Sequence, residues 1–263
     1  MKVQCIDRKG DDQEVQPRQA AFVHRFAQGC GGEISSLVAA RKTPLDTPWC
    51  IRVMKFGAVI QECWQTGRPF YYIDNGYFGN AFTKRWFRII KNHSHDIRDI
   101  QPRDRSRLNQ CDITTRPRAL GSKILIAPPS QKSFTLWNID AEQWVTDTVA
   151  EIKRHTDRPV EIRMKRPRAE RFKEDTSEQA LENVHCLITY NSVAAVEAVM
   201  LGRAAICLGP NAAAAVCSHS LADIENPVYP DNDQREAWLR HLSYSQFTFD
   251  EMSNGTAWRI LNE

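Results

Sequence analysis

The stretch CLITYNSVAAVEAVMLGRAAICLGP (residues 186–210) holds two short apolar runs on either side of a small-residue segment. Residues 186–190 and 204–208 are each too short for a stable helix and suit a buried strand. Residues 192–201 carry helical spacing. Strand, helix and strand in this order predict a parallel pair joined by a crossover.

Working outward, the same alternation recurs. Residues 1–7 read as a strand, and 16–28 as a helix with Ala20, Phe22, Val23 and Phe26 at helical spacing. Residues 49–55 and the aromatic run 69–74 read as strands around a helix at 58–65, and 82–91 as a further strand. Residues 93–121 are polar and Arg-rich, and are expected to form an interdomain or substrate loop. Beyond them the pattern restarts, with a strand at 123–127, a helix at 140–155 capped by Asp140, a strand at 160–164 and a short helix at 176–183. The expected fold class is α/β, two small Rossmann-like domains facing a cleft. The expected divisions are 1–120, 121–245 and a C-terminal helix, 246–263, crossing back to the first domain.

Bulk composition narrows the function little. The 263 residues are 42% hydrophobic, ample for a core, with a formal net charge of +3. Charge is clustered: eight Lys or Arg face three Asp between residues 84 and 107, and nine basic residues face three acidic ones between 153 and 173. Such clusters suit phosphates or nucleic acid, or form a solvated face. The eight cysteines show no C-x-x-C pairing and read as reduced thiols of a cytoplasmic protein, without disulfides or zinc. No apolar run is long enough to suggest a membrane span.

Parallel sheets place ligands at the carboxyl ends of their strands. In the second half these ends offer Ser130, then Arg163 and Lys165, then Asn191 and Ser192, then Asn211. Hydroxyls, amides and cations without a nucleophile–His–Asp set suit a phosphorylated ligand. Ser192 opens a helix, where it holds an anion or simply caps. Glu197, about one turn on, accepts from a ribose diol, stands exposed, or pairs with Arg203.

The order of strand, Tyr190-Asn191-Ser192, Ala194-Ala195-Val196-Glu197, strand and Leu208-Gly209-Pro210 resembles the donor half of GT-B glycosyltransferases. It is most similar to the capsule-polysaccharide (Kdo-transferase-like) and sialyltransferase-like branches. The resemblance implies that Ser192 and Asn191 lie at the donor's phosphate and Glu197 at its ribose. The His-Pro pair frequent after the preceding strand is absent; Lys165-Arg166-Pro167 stands there. The C-terminal segment and residues 72–79 also resemble phage-encoded glycosyltransferase-like proteins.

The first half is then expected to bind the acceptor. Asp74, at a strand end, is the first candidate for general base, with turn chemistry as its alternative; Glu33 and His24 follow. Lys84, Arg85, Arg88, Lys91, Arg103 and Arg105, interleaved with aromatics, suit double-stranded DNA with an exposed base. The resulting expectation is a hexosyltransferase that moves a sugar from a nucleotide sugar, UDP-glucose for example, to 5-hydroxymethylcytosine in phage DNA. A surface-polysaccharide glycosyltransferase and a non-catalytic DNA-binding protein on the same fold are the alternatives. The one approach to a metal-holding Asp-x-Asp signature, Asp231-Asn232-Asp233, sits in a Pro-flanked loop where a turn is expected, so no metal is expected.

Overall fold

The computed structural model describes residues 2–7, 17–52, 57–80, 85–164 and 177–263. They divide into two compact units, Met1–Asp96 with Leu242–Glu263, and Ile97–His241.

The first unit is built on strands β1 (Gln4–Ile6), β2 (Glu33–Ser35), β3 (Trp49–Arg52), β4 (Phe70–Asn75), β5 (Phe87–Lys91) and β10 (Gln246–Phe247). Their order across the sheet is β10-β5-β4-β3-β1-β2. Strands β1 to β4 are parallel, β5 runs against β4, and β10 against β5. Strands β3 and β4 are buried almost throughout, which is why they read as continuous apolar runs. Helix α1 (Pro17–Cys30) lays Phe22, Val23, Phe26 and Ala27 on the sheet beside Tyr71, Ile73, Phe87 and Ile89. Residues 37–40 and 57–66 form helices α2 and α3.

The chain returns to this unit at its end. Helices α9 (Phe249–Ser253) and α10 (Thr256–Leu261) bring Phe249, Met252, Ala257 and Trp258 onto α1. The approach is close at Gly29, where an added Cβ would lie 1.9 Å from the Met252 carbonyl oxygen. Only glycine fits there without moving backbone.

The second unit is a parallel sheet of β6 (Lys123–Ile126), β7 (Val160–Ile162), β8 (Val184–Thr189) and β9 (Ala204–Cys207), ordered β7-β6-β8-β9. Its connecting helices are α4 (Gln131–Trp137), α5 (Ala141–Ile152), α6 (Ser177–Ala180) and α7 (Ala194–Met200), with α8 (Asn232–Ser243) following. Asp140 caps α5 by accepting from the Gln143 N–H at 2.8 Å. Ile124, Ile126, Ile188 and Ile206 fill the core.

Both units therefore have the same strand order: second, first, third, fourth. Residues 82–91 were expected as one strand; β5 begins at Phe87, and it is antiparallel rather than parallel. Helices α4 and α8 and strands β2 and β10 were not anticipated.

Candidate functional site

In a doubly wound sheet the ligand crevice opens where the chain reverses its winding direction, between the first and third strands. In the second unit that point lies between the carboxyl ends of β6 and β8. Strand β6 runs into Pro128-Pro129 and then α4; β8 runs into Tyr190-Asn191-Ser192 and then α7.

The loops meet through side chains. Thr189 Oγ1 donates to the Ala127 carbonyl at 2.6 Å and accepts from the Ser192 N–H at 3.2 Å, which ties the two strand ends together. Ser133, on α4, donates through Oγ to Asn191 Oδ1 at 2.6 Å, and both residues are buried. Asn191 Nδ2 is buried and has no hydrogen-bond partner among the described residues. Leaving such a donor unpaired costs about 1–3 kcal/mol, a cost that a ligand oxygen relieves. Neither Thr189 nor Ser133 was anticipated. Ser133 lies inside a helix that the Pro-Pro sequence masked.

The other expected donor residues fall in different roles. Ser130 stands at the N-cap of α4 and makes no capping bond with its side chain. Ser192 Oγ accepts from the Ala194 N–H at 3.3 Å, and α7 begins at Ala194 rather than at 192. Asn211, fully buried, donates to the Ser192 carbonyl at 2.9 Å and accepts from the Ala213 N–H at 3.0 Å. It fixes the turn rather than facing a ligand. Glu197 is half-buried and accepts from Ser177 Oγ at 2.5 Å. Its expected alternative, a pair with Arg203, does not form; Arg203 donates to the carbonyls of Ala119 and Leu120, both at 3.0 Å. Arg163 is exposed beyond the end of β7, and Lys165 lies outside the described residues.

Tyr190 and Trp137 border the same strand ends, their ring centroids 6.0 Å apart. The Tyr190 ring lies on Gly209, where an added Cβ would come within 2.5 Å of it. A groove of about 410 Å³ lies elsewhere on this unit, against Glu151, His155, His219 and Ser220, and holds none of the expected donor residues.

In the first unit the equivalent point lies between the ends of β1 and β3. Asp7 follows β1, and Arg52 ends β3. Asp74, near the end of β4, accepts from Arg52 Nη1 at 3.0 Å and Arg88 Nη2 at 3.1 Å, and from the Tyr72 hydroxyl at 3.0 Å and the Asn75 N–H at 2.8 Å. Burial pushes its carboxyl up, but the Arg88 and Arg52 guanidiniums more than offset this and hold it well below the usual carboxylate range. A carboxylate held ionised by two cations takes up a proton poorly, which corrects the expectation of Asp74 as general base.

Arg88 is also corrected. Its side chain is 4% exposed, and it donates to the Ser94 carbonyl at 3.1 Å and the Asn75 carbonyl at 2.7 Å besides Asp74. It is a buried brace, closed to a phosphate backbone. Arg85 is exposed beside the Trp86 ring, and Lys91 is exposed beside Asn262. Arg105 pairs with Glu236 at 2.8 Å, and the Arg103 carbonyl accepts from Arg240 at 3.5 Å; both belong to the second unit. Lys84 lies outside the described residues.

Glu33 opens β2 level with Gln4, at the amino end of the parallel strands, where it pairs with Lys2 at 3.2 Å. That is the opposite end from the one expected of a base. His24, half-exposed on α1, meets Asp7 with Nε2 2.7 Å from Oδ2. Asp7 was not anticipated.

No group of three or more His, Cys, Asp or Glu is placed to hold a metal among the described residues. Among them, too, no helix is long and apolar enough to cross a membrane.

Two solved structures with matching architecture fit this description. One is Thermosulfurimonas dismutans KpsC, beta Kdo 2,4 transferase, with a TM-score of 0.50 and 11% identity over 99% of this chain and 98% of that one. The other is Thermosulfurimonas dismutans KpsC, beta Kdo 2,7 transferase, with a TM-score of 0.50 and 11% identity over 100% and 99% of the two chains. The chain has a GT-B-like fold. At this identity the likeness concerns architecture alone, and it extends over both units of the GT-B-like chain. No protein-family model and no curated protein matches the sequence.

Proposed function

We propose that this protein is a glycosyltransferase that takes a sugar from a nucleotide-activated donor and passes it to a saccharide hydroxyl. The observation that carries the reading is the buried, unpaired Asn191 Nδ2 at the carboxyl ends of β6 and β8. An amide there suits a phosphate or sugar oxygen of the donor, with Ser133 fixing its orientation and Ser130 and Ser192 at its sides. Tyr190 and Trp137 offer apolar ring surface for the nucleoside.

The acceptor is proposed as a saccharide because both similar structures are Kdo transferases. By the same argument the transferred sugar is proposed as Kdo or a related acidic sugar rather than a hexose. Transfer to 5-hydroxymethylcytosine in DNA is the second reading, and it draws on the exposed Arg85 beside Trp86. It is weakened by Arg88 and Arg105, each engaged with a carboxylate of its own unit.

The test is incubation with CMP-Kdo, UDP-glucose and related sugar nucleotides, each with an oligosaccharide or hydroxymethylcytosine DNA. Nucleotide release and product mass are read out. Release with the saccharide and an unchanged DNA mass is expected. A DNA mass gain sinks the saccharide acceptor, and no release or donor-induced melting shift with any member sinks the transferase.

A further inference from the structure

The first unit carries a polar pair that the donor reading leaves unused. Asp7 directly follows β1, and its side chain is 6% exposed. It lies beside the reversal of winding between β1 and β3, where this sheet type opens its crevice. Its backbone N–H donates to the Ser35 carbonyl at 2.9 Å, which fixes the strand end. Its Oδ2 stands 2.7 Å from Nε2 of His24, whose side chain is 48% exposed.

The asymmetry is informative. A surface ion pair has two exposed partners and gains little. Here a carboxylate is taken out of water, and its partner reaches into it. In the neutral ring the contact sets the tautomer: Nε2 carries the hydrogen toward the Asp7 carboxylate, and Nδ1 keeps its lone pair. Nδ1 has no hydrogen bond among the described residues. A half-exposed imidazole with a free lone pair, backed by a buried carboxylate, is the arrangement that accepts a proton from a hydroxyl. Asp74, with both oxygens engaged by arginines, offers no such lone pair.

We propose that His24 is the general base for the acceptor hydroxyl and that Asp7 is its positioning residue; this rests on the transferase reading above. In the step, the acceptor O–H proton moves to His24 Nδ1, giving an imidazolium held by the Asp7 carboxylate. The acceptor oxygen forms its bond to the anomeric carbon of the donor sugar. The bond from that carbon to the donor phosphate breaks, and its electron pair leaves on the nucleotide. The proton then passes from His24 to water.

The experiment uses the full chain. Long-range ¹H–¹⁵N spectra are expected to show His24 with a hydrogen on Nε2 in the wild type, and a different tautomer balance in Asp7→Asn. With CMP-Kdo and UDP-glucose as donor probes, His24→Ala and Asp7→Asn are expected to lower kcat about 10²–10⁴-fold with the donor KM unchanged. Added imidazole restores part of the His24→Ala rate and none of the Asp7→Asn rate. His24→Gln, which preserves polarity, stays slow although folded. A merely structural pair lowers the melting temperature, leaves the rate per folded molecule intact and shows no imidazole rescue; that result overturns the proposal. A wild type inactive on every donor overturns the transferase reading and this step with it, while the spectra still report whether Asp7 sets the His24 tautomer.

Discussion

Replacing Arg88 with alanine distinguishes a buried brace from a nucleic-acid contact. Arg88 fills a closed position between Asp74 and two backbone carbonyls, with its side chain 4% exposed. Removing one member of a buried ion pair costs about 3–5 kcal/mol, because the other is left uncompensated. Arg52 stays 3.0 Å from the other Asp74 oxygen, which moves the pair's share toward the lower figure. The carbonyls of Ser94 and Asn75 lose their donor and raise it again, so about 4 kcal/mol is expected. For a chain of this size each kcal/mol shifts the melting temperature by about 2–4 °C, giving a drop of roughly 8–16 °C. Calorimetry and urea titration followed by tryptophan emission measure it. Arg88→Lys keeps the charge but not the planar fork and is expected to fall between. Arg85→Ala, at an exposed position, is expected within about 0.5 kcal/mol of wild type. An Arg88→Ala protein that melts within about 1 kcal/mol of wild type, while losing affinity for DNA, refutes the brace.

Asn191→Ala is expected to abolish the donor-induced melting shift while costing the free protein about 1 kcal/mol, since the lost Ser133 bond is balanced by removal of an unpaired amide; a retained shift argues against this site. Gly209→Ala drives a methyl into the Tyr190 ring and is expected to cost about 1–3 kcal/mol, read by urea unfolding, with Tyr190→Ala in the same chain relieving part of it. Acid titration tests the Asp74 cluster. A carboxyl whose folded-state value lies below its unfolded one stabilises fully above about pH 4 and loses that contribution as pH falls toward the folded value. Asp74→Asn is therefore expected to flatten the stability curve on the acid side and to leave its shape near neutrality unchanged.

The parallel architecture was legible because β3, β4, β8 and β9 are buried on both faces and announce themselves as unbroken apolar runs. Strand β2, with the sequence Glu-Ile-Ser, carries no such signal; its place at the edge follows from pairing with β1. Asp74 was legible as a strand-end acid, yet its chemistry was not, because Arg52 and Arg88 are brought to it by two neighbouring strands. Arg88 sits in Phe-Arg-Ile-Ile-Lys, where strand alternation is uninformative once both faces are covered. Asp7 carried a usable signal, a lone acid directly after a predicted strand. Its partner carried none, because His24 reaches it from the middle of α1, 17 residues on.

The shared strand order allows the polar groups at the strand ends of the two units to be compared. In the first unit two guanidiniums, a phenol and a backbone N–H close on the two oxygens of Asp74 near the end of β4. The Asp74 carboxylate is complete without a ligand, which is what a structural role predicts, while Arg52 Nε is buried with no hydrogen-bond partner among the described residues. In the second unit Ser133 satisfies one end of Asn191 and leaves the other end bare inside the protein. Folding gains nothing from the bare end, since an apolar side chain of the same shape avoids its cost. A group that the fold leaves unpaired at the carboxyl ends of the parallel strands is thus one to test for a ligand. The same reasoning passes over both oxygens of Asp74.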